Sequence, residues 1–410
     1  MKEHKQGLYY GWWIVVSGFL TMALVYASVV SCQGLFIKPV TEELGIDRAS
    51  FAITTACMAL GLIVGSLFAG RLIQKFGVRV VMGICCLLVA VSLFGFSLCR
   101  VVWQFYLLGV LSGLALPGIT TIPVSVLTNN WFGKQKKGLA MSLVFAGSGI
   151  GGMVLTVLLN NIINRLHWRT AYQINAVLIA AVVLPLIFFV IVETPARKGL
   201  VRLGDMPSED RHEVSGMGAA AAKKSSTFWM LFLSVLLMSL VNAALLNHQI
   251  PYLSDIGFSS SASATLGAVA VGSLTVGKIV IGTLLDRAGL KRGAFLGNLA
   301  LLMGLVVLIL AEKQHGIIWL YIICYCLGAS LPTVAPPLFV STLFGERDYA
   351  DLVGLINVST GLGAIFGPTL CAKIFDMNGS YLAAWILFAV LAAVILVLQN
   401  ICLSSARKGL

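Results

Sequence analysis

The sequence predicts an all-α membrane protein: twelve transmembrane helices in two pseudo-symmetric six-helix bundles. Three observations carry that prediction. First, the 410 residues are 59% hydrophobic and only 11% charged, with a mean hydropathy of +0.96, whereas soluble domains carry roughly 25% charged residues. Second, the apolar residues gather into runs of about 19 to 30, long enough to cross a hydrocarbon core of roughly 30 Å. Third, landmarks of the first half recur in the second.

In chain order the runs fall near 10–36, 50–73, 80–98, 101–130, 138–163 and 170–192, then near 228–252, 262–285, 293–311, 316–343, 351–372 and 381–403. The first follows Lys2 and Lys5 as a signal peptide would. It is too long for a cleaved apolar core and is expected to stay as span one. An even number of crossings puts both termini on one side.

Lysine and arginine sort by loop parity. Termini and even loops carry 20, while the odd loops carry seven, namely Lys38, Arg48, Arg100, Arg165, Arg169, Lys313 and Lys373. That bias places both termini in the cytoplasm of a plasma (inner) membrane. It also explains the net charge of +12 without nucleic acid, since no basic patch interleaved with aromatic residues exists. Of the 28 basic residues, the one assigned to neither side is Lys278. The composition breaks once, at 193–226, which reads as a cytoplasmic linker joining an N-terminal bundle (1–192) to a C-terminal bundle (227–410), with room for a surface helix. His212 in it is expected to be solvated.

The repeats define the halves. "GRLIQKFG" (Gly70 to Gly77) and "GTLLDRAG" (Gly282 to Gly289) lie 212 residues apart; "GLALP" (Gly113 to Pro117) and "GASLP" (Gly328 to Pro332) lie 215 apart. Parallel six-helix repeats are one way in which secondary transporters build a pathway. "GSGIGG" (Gly147 to Gly152) fits a dinucleotide fingerprint, but no strand precedes it, so close helix packing through small residues is the expectation. Gly361, Gly363 and Gly367 mirror it in span eleven. Pro117, Pro123, Pro332, Pro336 and Pro337 concentrate in spans four and ten, where they bend a pathway or serve packing alone. The nine cysteines lie in or beside apolar runs without metal spacing and read as small buried hydrophobes. No nucleophile, metal or nucleotide constellation appears, so neither catalysis nor a cofactor is expected, and no obligate protein partner is indicated.

These residues resemble the major facilitator superfamily. Its most recognisable motif, Gly-x-Leu-x-Asp-Arg-x-Gly, is intact at Gly282, Leu284, Asp286, Arg287 and Gly289. The first copy, through Gly70, Lys75 and Gly77 with Arg79 beyond, carries Gln74 where the acid stands, which weakens the inter-helix charge lock the resemblance implies. "YYGWW" (Tyr9 to Trp13), "NNWFGKQKKGLAMSLVFAGSGIGG" (Asn129 to Gly152) and "HWRTAY" (His167 to Tyr172) resemble the monocarboxylate transporters and the oxalate/formate antiporter group. That resemblance implies alternating access of the rocker-switch kind, with the motif loops holding a cytoplasmic gate.

Lys278 is the leading substrate-binding candidate. A basic side chain at membrane depth costs roughly 2.5 to 3.5 kcal/mol on insertion scales. It lies eight residues before Asp286, about 12 Å along a helix, so snorkelling is strained and a fixed charge facing an anion is the functional reading. In the resembling families an arginine just after a glycine binds the substrate carboxylate here; this chain has Gly277-Lys278. Lysine is a point charge that can exchange its proton, where arginine is a permanent planar fork. The second cation that oxalate-type members carry in helix eleven aligns with Thr360. One buried cation suits one carboxylate.

Every Asp and Glu falls in a loop or at a span end, which leaves His248 and Lys278 as proton-coupling candidates; a structural role for His248 is as well supported. Tyr26, Thr120, Leu143, Asn247, Tyr325, Thr333 and Asn357 are added as uncharged liners, each open to a packing role as well. The expectation is a secondary transporter in the lipid bilayer that moves a small monocarboxylate, such as lactate or pyruvate, with a proton. An exporter of hydrophobic compounds and a non-transporting sensor are the alternatives.

Overall fold

The computed structural model describes residues 9–46, 48–133, 135–204 and 216–405. His212 and, from the charge count, Lys2, Lys5, Lys134, Arg211, Arg407 and Lys408 lie outside the described residues.

Among the described residues, twelve helices are long and apolar enough to cross a membrane, and they follow the predicted runs in number and order. Six are Gly11–Ser31, Ile53–Phe76, Val78–Phe96, Val102–Trp131, Lys137–Arg165 and Trp168–Val190; the other six are Ser226–Asp255, Thr265–Ala288, Leu290–Leu310, His315–Phe344, Tyr349–Asn378 and Leu382–Ser404. They are called spans one to twelve below. Among the described residues the only β pairing is two isolated bridges, Phe132 with Leu203 and Gly216 with Gly345.

Two boundaries differ from the expected runs. Span one stops at Ser31, and Gly34–Leu44 forms a separate helix where a loop was expected. Lys38, Glu42 and Glu43 make that segment too polar to cross, while Phe36 and Val40, four apart, are buried and anchor one face. Phe36 stacks on Tyr172 with ring centroids 3.8 Å apart, and Gly45, at φ 63°, ends the helix in the left-handed cap that glycine favours. Span eleven runs on to Asn378, so Lys373 is helical rather than in a loop.

The chain divides into two compact units, Met1–His212 and Glu213–Leu410, and their internal pairings repeat. Span one packs on five as seven packs on eleven; two on four as eight on ten; three on six as nine on twelve. Lipid tails are as apolar as leucine, so helices associate through van der Waals contact at small residues. A Cβ on Gly147 or Gly151 would lie 2.3 or 2.1 Å from the carbonyl oxygens of Phe19 and Ala23 on span one. Gly363 and Gly367 meet the Leu236 and Leu240 carbonyls of span seven at 2.4 and 2.1 Å in the same way. The glycine-rich run is therefore a helix-contact face.

Spans four and ten are interrupted, at Thr120 (φ −104°, ψ −104°) and between Gly328 and Leu331, each next to its prolines. Two further irregularities were not foreseen. Span six ends in a π-helical turn at Leu186–Val190, after Pro185. Span one is π-helical over Met22–Ser31, a stretch with neither proline nor glycine.

Candidate functional site

Three charged side chains are buried among the described residues: Lys137, Lys278 and Asp351. Two sit at helix starts. Lys137 opens span five and donates to Asn129 Oδ1 at 2.6 Å, and Asp351 lies in the first turn of span eleven. Lys278, 8% exposed, alone lies mid-span.

Its place is set by the contact between spans eight and ten. Gly277 approaches so closely that a Cβ there would fall 1.8 Å from the Cys326 carbonyl oxygen. Cys326 Sγ donates to the Ser273 carbonyl at 3.1 Å. Ser330 Oγ lies 2.7 Å from the Cys326 carbonyl and 3.2 Å from that of Leu274. These bonds fix the backbone carrying Lys278 against the interruption in span ten, where free carbonyls need donors.

Tyr325, next to Cys326 in the chain, is 1% exposed; its hydroxyl has no partner among the described residues. Its ring centroid is 5.5 Å from that of Tyr321, whose hydroxyl donates to Gln249 Oε1 at 2.7 Å. Sequence reasoning missed Gln249: it is fully buried, its Nε2 lacks a partner among the described residues, and an uncharged residue in an apolar run gave no signal. Thr333 is half-buried just past the interruption, and Asn357 is half-buried on span eleven.

His248 is drawn to spans eleven and twelve. Its Nε2 is 3.0 Å from the Pro368 carbonyl and its Nδ1 is 3.2 Å from the Tyr381 hydroxyl. A carbonyl only accepts, so Nε2 carries a proton, and in the neutral ring Nδ1 accepts from the tyrosine. Asn247 is exposed and bonds its own helix through Ala243 O at 2.8 Å.

In the first unit, Tyr26 is half-buried within the π-helical stretch and Leu143 half-buried on span five. Thr120 is 1% exposed, and its hydroxyl donates to Leu116 O at 2.6 Å, serving the helix break at which it stands.

The sequence profile of the Major Facilitator Superfamily matches residues 18–343. The chain belongs to the Major Facilitator Superfamily. Human monocarboxylate transporter 12 is 24% identical over 92% of this chain and 78% of its own length. Monocarboxylate transporter 4 of Gallus gallus is 21% identical over 95% and 83%. The uncharacterized MFS-type transporter YcxA of Bacillus subtilis is 23% identical over 93% and 94%. Among solved structures, the human organic anion transporter MFSD10 aligns with TM-score 0.70 at 16% identity, covering 94% of this chain and 98% of that one. The Escherichia coli fucose:proton symporter FucP aligns with TM-score 0.65 at 13% identity, covering 95% and 97%. At such identities the structural likeness shows the fold.

The loops that carry the superfamily motif have nearly the same backbone in both halves. Gly77 stands at φ 84°, ψ 155° and Gly289 at φ 81°, ψ 154°, a region that only glycine enters readily. Two residues on, Arg79 Nε donates to Ile191 O at 2.9 Å, at the end of span six. Lys291 Nζ, 212 residues later, donates to Ser404 Oγ at 2.8 Å, at the end of span twelve. Each loop is thus tied to the last helix of its own half. Of the other motif residues, Gly70 and Gly282 are buried, Asp286 is half-buried, and Lys75 and Arg287 are exposed. Lys75 Nζ lies over the Phe76 ring at 5.2 Å.

The expected linker is anchored within each unit. Leu203 N–H donates to Trp131 O at 3.1 Å and Gly133 N–H to Leu203 O at 3.0 Å, while Met217 N–H donates to Phe344 O at 2.8 Å. Its one α-helix among the described residues, Ala219–Ala222, buries Ala219 and Ala222.

"HWRTAY" forms a clamp at the other end of the first unit. His167 Nε2 is 2.8 Å from Glu43 Oε2, Arg169 Nη2 is 3.2 Å from Glu43 Oε1, and Trp168 Nε1 also donates to Glu43. Arg169 Nη1 reaches Ser97 O and Cys99 O at 2.6 and 2.9 Å, capping span three. Burial alone would raise the Glu43 pKa, but the bonds from Trp168 and Arg169 and the charges of Arg169 and His167 bring it below its ordinary value of 4.5. A depressed carboxyl contributes stability that is full above that ordinary value and is lost as pH falls through the folded-state value. Thermal melts of wild type and Glu43→Gln should therefore differ at neutral pH and converge in acid, below 4.5. A gap that stays constant into strong acid would refute the clamp's electrostatic role.

Proposed function

We propose that this transporter moves a small organic anion, a monocarboxylate such as lactate or pyruvate, together with a proton by alternating access, with Lys278 neutralising the carboxylate. The observation that carries the proposal is the mid-span position of Lys278, the one described buried charge away from a helix end. A basic side chain at membrane depth is costly and marks a functional position by default, and a cation so placed is complementary in charge to a transported anion. Tyr325, one residue before Cys326, supplies a buried hydroxyl, and its ring neighbour Tyr321, bonded to Gln249 of span seven, extends that polar group. Thr333 and Asn357 remain as candidates of lower rank in the second unit, where Asn247 serves its own helix; in the first unit Tyr26 and Leu143 remain candidates, while Thr120 serves its own helix break.

The names of the monocarboxylate relatives and of the organic anion transporter support the same substrate class. Lys278 is the first candidate for proton coupling. His248 is the second: protonation would turn its Nδ1 from acceptor to donor toward Tyr381, so a change of charge reorganises the contact among spans seven, eleven and twelve. The excess of basic residues in even loops supports an inner-membrane orientation with both termini in the cytoplasm.

Purified protein in liposomes, given radiolabelled lactate or pyruvate, should take up the acid faster when the outside is made more acidic. Uptake that ignores the pH gradient would remove the proton from the proposal, and no uptake of any short monocarboxylate would remove the substrate class.

A further inference from the structure

Outside the proposed transport site, a groove of about 1000 Å³ opens at the Gly289 end of the second unit. One wall holds Lys291 and Arg292 at the start of span nine; another is apolar, with Phe295 and Leu296 of span nine and Leu403 of span twelve. Phe295 and Leu296 are exposed large hydrophobic residues. Among the described residues, no acidic side chain lines the groove. Lys291 is held in place by its bond to Ser404 Oγ, which uses one of its three N–H donors. A separate narrow cleft that shares Lys291, Phe295, Asn400 and Leu403 with the groove is lined by Asn298, which is 1% exposed and whose Oδ1 has no partner among the described residues.

We propose that this groove binds an anionic phospholipid, its phosphate on Lys291 and Arg292 and its acyl chains along Phe295, Leu296 and Leu403. The two halves of the lining argue for one amphipathic molecule. A soluble anion would use the cations and leave the apolar wall idle; a zwitterionic lipid would use the wall but bring a positive group to a site already carrying two. Basic pockets at helix ends on the membrane surface suit anionic headgroups on electrostatic grounds. Lys291 also ties the motif loop to span twelve, so a bound lipid would brace that corner of the molecule. The inference rests on the membrane fold and is independent of the transported substrate.

Native mass spectrometry of the full chain released from detergent tests it. The probes are palmitoyl-oleoyl phosphatidylglycerol, phosphatidylcholine with the same chains, and inorganic phosphate. Phosphatidylglycerol adducts should exceed phosphatidylcholine adducts, and Arg292→Gln should lower the former about fivefold, as one basic contact near a membrane surface implies. Leu296→Trp, which fills the groove without altering charge, should lower retention of both lipids, while Ser404→Ala, which keeps both cations, should leave the preference for phosphatidylglycerol. Gel filtration and melting curves check that each variant is folded. Equal retention of the two lipids, displacement of phosphatidylglycerol by inorganic phosphate, or indifference to both Arg292→Gln and Leu296→Trp would overturn the proposal.

Discussion

Lys278→Gln should lower uptake of the monocarboxylate by about 10- to 100-fold, the factor given by losing one charge-assisted hydrogen bond of roughly 1.5–3 kcal/mol, while the purified protein still elutes as a single folded species. Glutamine keeps a donor, on a side chain one bond shorter, but removes the charge. Lys278→Arg retains the charge and adds a planar fork, so it should keep measurable uptake and weaken any coupling that needs the side chain to release its proton. The pair separates two roles: loss in both variants points to a geometric requirement for lysine, and loss in glutamine alone points to charge. Uptake by Lys278→Gln equal to wild type would falsify the anion site.

One residue earlier, Gly277→Ala should have the opposite signature. Its new methyl group would meet the Cys326 carbonyl oxygen at 1.8 Å. Backbone cannot rotate away as a side-chain tip can, so spans eight and ten must separate. The cost should reach or exceed the upper end of the roughly 1–3 kcal/mol seen for overpacked cores, read as a lower melting temperature and a smaller yield of monodisperse protein. Gly272, on the same helix, supplies the control: a Cβ there meets nothing within 4 Å. Gly272→Ala should stabilise by about 0.5–1 kcal/mol, because alanine has the better helix propensity. Equal melting temperatures for the two variants would show that the close approach does not bear on stability.

The sequence disclosed the architecture because a membrane enforces it. Twelve apolar runs, loop charges sorted by parity and two displaced copies of one motif leave few folds open, and all twelve helices follow in order. The helix Gly34–Leu44 escaped notice because its run of Gly34 to Phe36 is continuous with span one, and only the charges at Lys38, Glu42 and Glu43 mark the change. The π-helical stretch of span one was illegible for a different reason. No proline or glycine causes it, so it reflects packing within the fold rather than local propensity.

The candidate site was legible where charge is scarce. Lys278 stood out because a lone cation in an apolar run has a known cost, and Gly277 because it precedes that cation. Neutral polar residues carry no such signature: in the sequence nothing separates Gln249, whose buried amide nitrogen has no partner among the described residues, from Asn247, two residues away and exposed. His248 was found by its chemistry, but its two partners, Pro368 and Tyr381, lie more than a hundred residues away and could not be read from spacing. Arg79 was placed in a gate by its neighbourhood in sequence; its observed bond is to the end of span six.

The π-helical stretch Met22–Ser31 bears on how a rigid bundle could re-aim a side chain. Each π turn accommodates more residues than an α turn, so span one holds slack in its winding. Drawing that slack out into α geometry would rotate the residues beyond it by about 100° for each position gained. Ala23 abuts Gly151 of span five and Ser28 Oγ donates to Asn175 Oδ1 of span six at 2.9 Å, so these two contacts hold the slack in, and any rewinding that carries Tyr26 round must first release them.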